Sequence, residues 1–138
     1  MFQLIIHPDQ LVVIYHRDSF FTIIIPLLIK IIQKFFCFCK RLYIIPLGEN
    51  ARKRHYHEAD KGDIIGFAVQ LEVLVNDQWK VVIRYDSAHG FAHIDRYYLD
   101  GRKVKIELHL KLSEALTLGD EDIKENWKIY QKAFLEGK

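Results

Sequence analysis

Between residues 84 and 96 the chain reads Arg84-Tyr85-Asp86-Ser87-Ala88-His89-Gly90-Phe91-Ala92-His93-Ile94-Asp95-Arg96, which places two histidines and two aspartates close together. Imidazole and carboxylate groups at this density support three arrangements. The first is general acid–base chemistry. Asp86 would orient His93 and raise its basicity, and His89 would supply a second proton-transfer group. Arg84 and Lys105 would hold a phosphate and its developing charge, with Asp95 completing the substrate-binding set. Those are the requirements of a metal-independent RNase. The second is a metal site, because Asp86, His89, His93 and Asp95 are valid ligand types. Their D-x2-H-x3-H-x-D spacing matches no compact zinc pattern, so no metal and no other cofactor is expected. The third is a solvated ladder of cross-strand ion pairs, each contributing about 0.2–1 kcal/mol. A Cys–His–Asp triad is not available, since the two cysteines, Cys37 and Cys39, fall in a segment of different character.

Strands must position these groups. From Ile64, alternation puts Ile65, Phe67, Val69, Leu71, Val73 and Val75 on one face and Gly66, Ala68, Gln70 and Glu72 on the other. A turn at Asn76-Asp77-Gln78 leads to a second strand with Trp79, Val81, Ile83 and Tyr85 inward. A three-residue loop there pairs Val75 with Trp79, Val73 with Val81 and Leu71 with Ile83. The third strand covers 92–98 and the fourth 103–110, with Val104, Ile106, Leu108 and Leu110 inward. Asp100-Gly101 marks the hairpin between them. With Gly101 in a left-handed bulge position, Ile94 pairs with Ile106, Asp95 with Lys105 and His93 with Glu107. The alternative register would bury an unpaired carboxylate, at a cost of several kcal/mol. Across the second and third strands, Asp86 then faces His93 and Arg84 faces Asp95.

Leu112 onward reads as helix, with Ser113 as N-cap and Leu116, Ile123, Trp127, Tyr130 and Phe134 at helical spacing. Gly119 marks a kink or a break between two helices, and Gly137 ends the segment. The expected fold class is α+β: a four-stranded antiparallel meander with a C-terminal helix on one face and the polar residues on the other.

The chain of 138 residues is 50% hydrophobic and 28% charged, with a net charge of +2. That balance suits one globular domain and gives no global drive towards nucleic acid or anionic membrane. Composition breaks near residue 48. Residues 1–47 hold no alanine, glycine or glutamate, yet all three prolines and both cysteines. Residues 20–39 have the length of a membrane span but contain Lys30, Gln33 and Lys34, and a central lysine costs about 2.5–3.5 kcal/mol. Three readings follow: a membrane anchor with Lys40-Arg41 facing the cytoplasm, extra strands or a helix completing a core or interface, or translated AT-rich upstream DNA. The last is preferred, with 48–138 as the domain. Residues 52–63 lack periodicity and read as a flexible arm, whose Arg52-Lys53-Arg54 could touch phosphates. Two reduced thiols fit a cytoplasmic protein, the alternative being membrane tethering through 20–39.

Arg84-Tyr85-Asp86, His89-Gly90, His93 and Asp95, followed by Glu114-Ala115-Leu116, Asp122-Ile123 and Asn126-Trp127, resemble a family of small archaeal and bacterial proteins of unknown function. The resemblance covers about residues 52–136. The segment 82–93 also resembles the strand–YD–Gly–His segment of TumE-type toxins from toxin–antitoxin pairs. That likeness implies a small RNA-directed toxin controlled by a cognate antitoxin protein. The expected function is an RNA-cleaving or RNA-binding sheet face, and the alternative is a non-enzymatic interaction module whose polar sheet face binds a partner protein.

Overall fold

A computed structural model describes residues 4–7, 10–13 and 38–138. It divides into two compact units, Met1–Cys37 and Phe38–Lys138. In the first, β1 (Leu4–His7) and β2 (Gln10–Val13) form an antiparallel hairpin. His16 and residues 20–37 of the candidate membrane segment lie outside the described residues. Among the described residues, no helix is long and apolar enough to cross a membrane.

The second unit is α+β, with six antiparallel strands in chain order and one C-terminal helix. The strands are β3 (Phe38–Gly48), β4 (Ala51–Asp60), β5 (Asp63–Val75), β6 (Gln78–Asp86), β7 (His93–Tyr97) and β8 (Lys103–Glu107). The four strands expected from the sequence are β5 to β8. Strands β3 and β4 are additional, so the unit starts at Phe38, ahead of the composition break at residue 48. The expected flexible arm is β4, paired residue by residue with both neighbours. Its alternation escapes a hydrophobicity pattern because its buried positions are Ala51, Lys53 and His55.

The site strands hold the expected registers. Asp86 lies opposite His93 and Arg84 opposite Asp95. His93, Ile94, Asp95 and Arg96 meet Glu107, Ile106, Lys105 and Val104. The β7–β8 loop is closed by the Tyr98 N–H donating to the Arg102 carbonyl at 3.0 Å, and Gly101 takes φ 87°. The β5–β6 hairpin differs. Its loop is only Asn76-Asp77, both at positive φ (51° and 59°), with Val75 opposite Gln78. A two-residue turn of this hand matches strand twist, and Asn and Asp tolerate it. It puts Leu74 rather than Val75 opposite Trp79, and Lys80 rather than Val81 opposite Val73. A bulge at Leu71/Glu72 then restores Leu71 to Ile83. Trp79 is consequently not a core residue; it is 38% exposed, with the Arg52 guanidinium 4.0 Å from its ring centre.

Helix α1 runs unbroken from Leu112 to Leu135. Lys111, not Ser113, is its N-cap, and the Lys111 N–H donates to Glu114. At the other end Gly137, at φ 72°, closes the helix, its N–H donating to the Phe134 carbonyl. Gly119 does not break the helix. A Cβ there would stand 2.6 Å from Tyr85 Cγ, so glycine lets α1 lie directly on β6. The core joins Phe67, Val69, Leu71, Val73, Ile83 and Tyr85 to Ala115, Ile123 and Phe134. Each large apolar side chain buried there stabilises the fold by about 1.5–3 kcal/mol. The helix packs on β4, β5 and β6. With two extra strands on one side, those are the middle of the sheet, and β8 falls beyond its reach. Val104, Ile106 and Leu110, expected inward, are therefore 42–51% exposed, while Leu108 packs against the core.

Candidate functional site

Alternation along β6 and β7 turns Tyr85 and Ile94 towards the helix and Asp86, His93 and Asp95 to the opposite, open face. The three polar residues lie side by side in adjacent strands. His93 Nε2 is 2.8 Å from Asp86 Oδ1 and 3.7 Å from Asp95 Oδ2. The other ring nitrogen, Nδ1, contacts the Phe91 carbonyl at 3.4 Å. The Ala88 N–H donates to Asp86 Oδ1 at 3.0 Å, tying the start of the β6–β7 connection to the site.

The sequence places these residues on an open face, which suggests exposed side chains. Instead, His93 is 1%, Asp95 3% and Asp86 4% exposed. Longer side chains lie over them. Arg84 Nε is 2.7 Å from Asp86 Oδ2, close in charge but badly angled for a hydrogen bond. Lys103 Nζ is 2.8 Å from Asp95 Oδ2, while Lys105 Nζ is 4.0 Å from Oδ1. The Phe91 ring sits 5.5 Å from that of His93, centre to centre. Two expected pairings therefore change. Arg84 lies opposite Asp95 in register but engages Asp86 along its own strand. Lys103, absent from the expected set, takes the closer place on Asp95, and that hydrogen bond raises its ammonium pKa. His89, expected as the second proton-transfer group, stands apart. It is exposed at φ 72° in the single 3-10 turn Ala88–Gly90. Among the described residues it makes no hydrogen bond or ion pair.

The same face continues across β5 and β4. Glu72, 4% exposed, accepts from Arg52 Nε at 2.5 Å, Arg54 Nε at 2.9 Å and Gln70 Nε2 at 2.6 Å. Burial acts to raise its pKa. The hydrogen bonds from Arg52 and Gln70 and the two guanidinium charges overcome that and hold it below the usual carboxylate value. Gln70 lies opposite Arg84 in register, so the Glu72 and Asp86 groups are neighbours on this face.

A second polar cluster occupies the helix side. Lys53 Nζ donates to Asp120 Oδ1 at 2.7 Å, and His55 Nδ1 stands 3.1 Å from the same oxygen. His55 Nε2 is 2.8 Å from His57 Nδ1, and Tyr43 stacks on the His55 ring at 4.4 Å. Burial opposes ionisation of Asp120, but Lys53 and His55 outweigh it and lower its pKa. Burial, then the charges of His55 and Arg41, lower that of His57. Sequence reading missed this cluster, although Lys53, His55 and His57 recur at every second residue, the period of a strand face.

Asp122 joins the helix to the sheet. Asp122 accepts at one oxygen from the Tyr85 and Tyr130 hydroxyls, each at 2.7 Å, and at the other from Asn126 at 2.9 Å. Tyr85 and Asp122 fasten the helix to the sheet, with Asn126 and Tyr130 holding Asp122 from within the helix, which leaves Asp86, His93 and Asp95 for the other face.

These observations define an α+β protein with a charged network set into the open face of its sheet. The chain belongs to the DUF7718 family, a domain of unknown function whose match covers residues 37–138. That match starts one residue before β3. No curated protein and no solved structure matches the chain.

Proposed function

We propose that the open sheet face binds single-stranded RNA through its phosphates, in a small toxin-like protein held in check by a cognate partner. One observation carries this. Glu72, Asp86 and Asp95 are at most 6% exposed at their side chains, yet the cations beside them, Arg54, Arg84, Lys103 and Lys105, remain 37–43% exposed. Carboxylates in the floor thus hold a row of cationic heads at the surface, where each can meet a phosphate. Exposed Trp79 and Phe91 flank the row, and each offers a ring on which a base can stack. The burial of His93 keeps it from a ribose hydroxyl, so this reading rests on binding rather than on cleavage by that imidazole.

The test is titration of a labelled single-stranded RNA with the purified protein at several salt concentrations. Saturable binding should weaken linearly on a log–log plot. Arg84→Ala and Lys105→Ala should each flatten the slope by about 0.7, one phosphate contact on a single strand. Absence of saturable binding, or affinity indifferent to salt, overturns the reading.

The edge strand β3 favours a second reading, a protein-interaction module. Leu42, Tyr43, Ile44 and Ile45 are 37–63% exposed on a long edge, the type of surface to which a partner adds a strand. Co-purification with the product of an adjacent gene, abolished by Ile44→Lys, would favour it.

A further inference from the structure

We infer that Asp86, His93 and Asp95 form a binding site for one divalent transition ion, of the manganese or zinc class. The donor atoms these residues offer lie within 4.8 Å of one another. Two donors bound to one such ion stand roughly 3 Å apart, given metal–ligand bonds near 2.1 Å. The distances from His93 Nε2, 2.8 Å to Asp86 and 3.7 Å to Asp95, straddle that value, so closure around an ion needs only small side-chain shifts.

An independent observation points to a ligand. Asp95 Oδ1 is buried and has no hydrogen-bond donor, although Asp95 is 3% exposed. Its other oxygen, Oδ2, takes Lys103 and is the one 3.7 Å from His93 Nε2, while the nearest cation to Oδ1 is Lys105 at 4.0 Å. An ion shared with the imidazole therefore meets Oδ1 by a turn of the carboxylate or by taking both oxygens. A buried carboxylate oxygen left without a partner costs about 1–3 kcal/mol or more, and a metal ion is a partner that fits. The orientation of His93 agrees. Nδ1 faces the Phe91 carbonyl and Nε2 is the nitrogen turned to the carboxylates; an ion bound there replaces the proton that Nε2 shares with Asp86. Metal-binding imidazoles are commonly held in this way by a carbonyl behind them. The Ala88 N–H fixes Asp86 similarly. One imidazole with two carboxylates suits manganese, iron or zinc better than calcium or magnesium. Lys103, whose side chain is 43% exposed, can swing out to admit the ion.

The site shares Asp86, Asp95 and Lys103 with the proposed RNA face, and the experiment separates the two. Mn2+ is titrated into the full chain by electron paramagnetic resonance and Zn2+ by calorimetry, while RNA affinity is measured in chelator. One equivalent of ion should bind. Asp95→Asn and His93→Gln should weaken it roughly tenfold or more, whereas Asp100→Asn, an exposed carboxylate outside the cluster, should not. Lys103→Ala should tighten it, because the ammonium repels the ion and competes for Asp95. An ion pair with a structural role alone predicts no ion binding and no such gain, and Lys103→Ala keeps the test decisive should the buried variants fail to fold. No binding of either ion to the folded protein overturns the site. So does binding unaffected by Asp95→Asn, His93→Gln and Lys103→Ala.

Discussion

Gly119 shows how a single residue can act opposite to its intrinsic preference. Replacing a mid-helix glycine with alanine normally gains about 1 kcal/mol. Here the new methyl would meet Tyr85 Cβ at 2.7 Å and Cγ at 2.6 Å, and neither atom can move without shifting β6. Overpacking of this kind costs typically 1–3 kcal/mol, so Gly119→Ala should lower stability in denaturant melts. An unchanged or raised midpoint would mean that α1 does not rest on Tyr85. Glu72 gives a second test. Glu72→Gln keeps the shape but removes the charge that Arg52 and Arg54 share, and hydrogen bonds to charged groups contribute about 1.5–3 kcal/mol each. Stability should fall by about 2 kcal/mol. RNA affinity should fall as well, because Arg54 loses its fixed position.

At the level of elements, the β5–β6 turn and the edge strand make the difference. Asn76 and Asp77 both occupy left-handed backbone, a conformation costing most residues about 1–2 kcal/mol. Asp77→Gly should raise stability by up to about 1 kcal/mol, the gain in the folded turn partly offset by a more flexible unfolded chain. Strand β3 carries Tyr43, stacked on His55, and Leu47, packed on the core. Gly48 lies against Trp127. A chain of residues 38–138 should therefore melt cooperatively and at higher temperature than one of residues 48–138, which leaves β4 as a bare edge. Equal melting of the two chains would assign β3 no part in stability.

For the molecule as a whole, pH should reveal which networks the fold relies on. The folded-state pKa of His57 lies below its ordinary 6.5 and that of Glu72 below 4.5. Asp120 lies below its ordinary 3.8. A group with a depressed folded pKa contributes stability that is present above its unfolded pKa and lost as pH falls through the folded one. Tyr130 moves the other way, its pKa pushed up to about 12 by burial and by its hydrogen bond to Asp122. Its contribution is complete below 10 and is lost as pH rises through about 12. Stability should thus be flat from about pH 6.5 to pH 10, declining first with His57, then with Glu72 and Asp120. Tyr130→Phe should remove part of the alkaline decline. A decline unaltered by that variant would place its origin elsewhere.

The order of the site in the chain was fixed by sequence alone. Alternation in the strands and the glycine at position 101 set Asp86 against His93 and Asp95 against Lys105. Those are local rules of strand period and turn geometry, and they hold without knowledge of the rest. The expectation that this register keeps Asp95 out of the interior did not hold, since Asp95 is 3% exposed. Three things required tertiary structure. Strand β4 could not be read because its inward positions are Lys53 and His55, whose burial is possible only with Asp120 from the distant helix beside them. The reach of α1 could not be read because it depends on how many strands stand beside it, and with β3 and β4 present Ile106 is left outside. The burial of Asp86, His93 and Asp95 could not be read because strand alternation gives the face a residue is on and not which long side chains, here Arg84 on Asp86 and Lys103 on Asp95, close on it. Register specifies which backbones are neighbours. It leaves open which neighbour a long side chain reaches: Lys103, diagonal to Asp95 on the adjacent strand, takes that carboxylate rather than Lys105 directly opposite, and one of its oxygens is left without a partner.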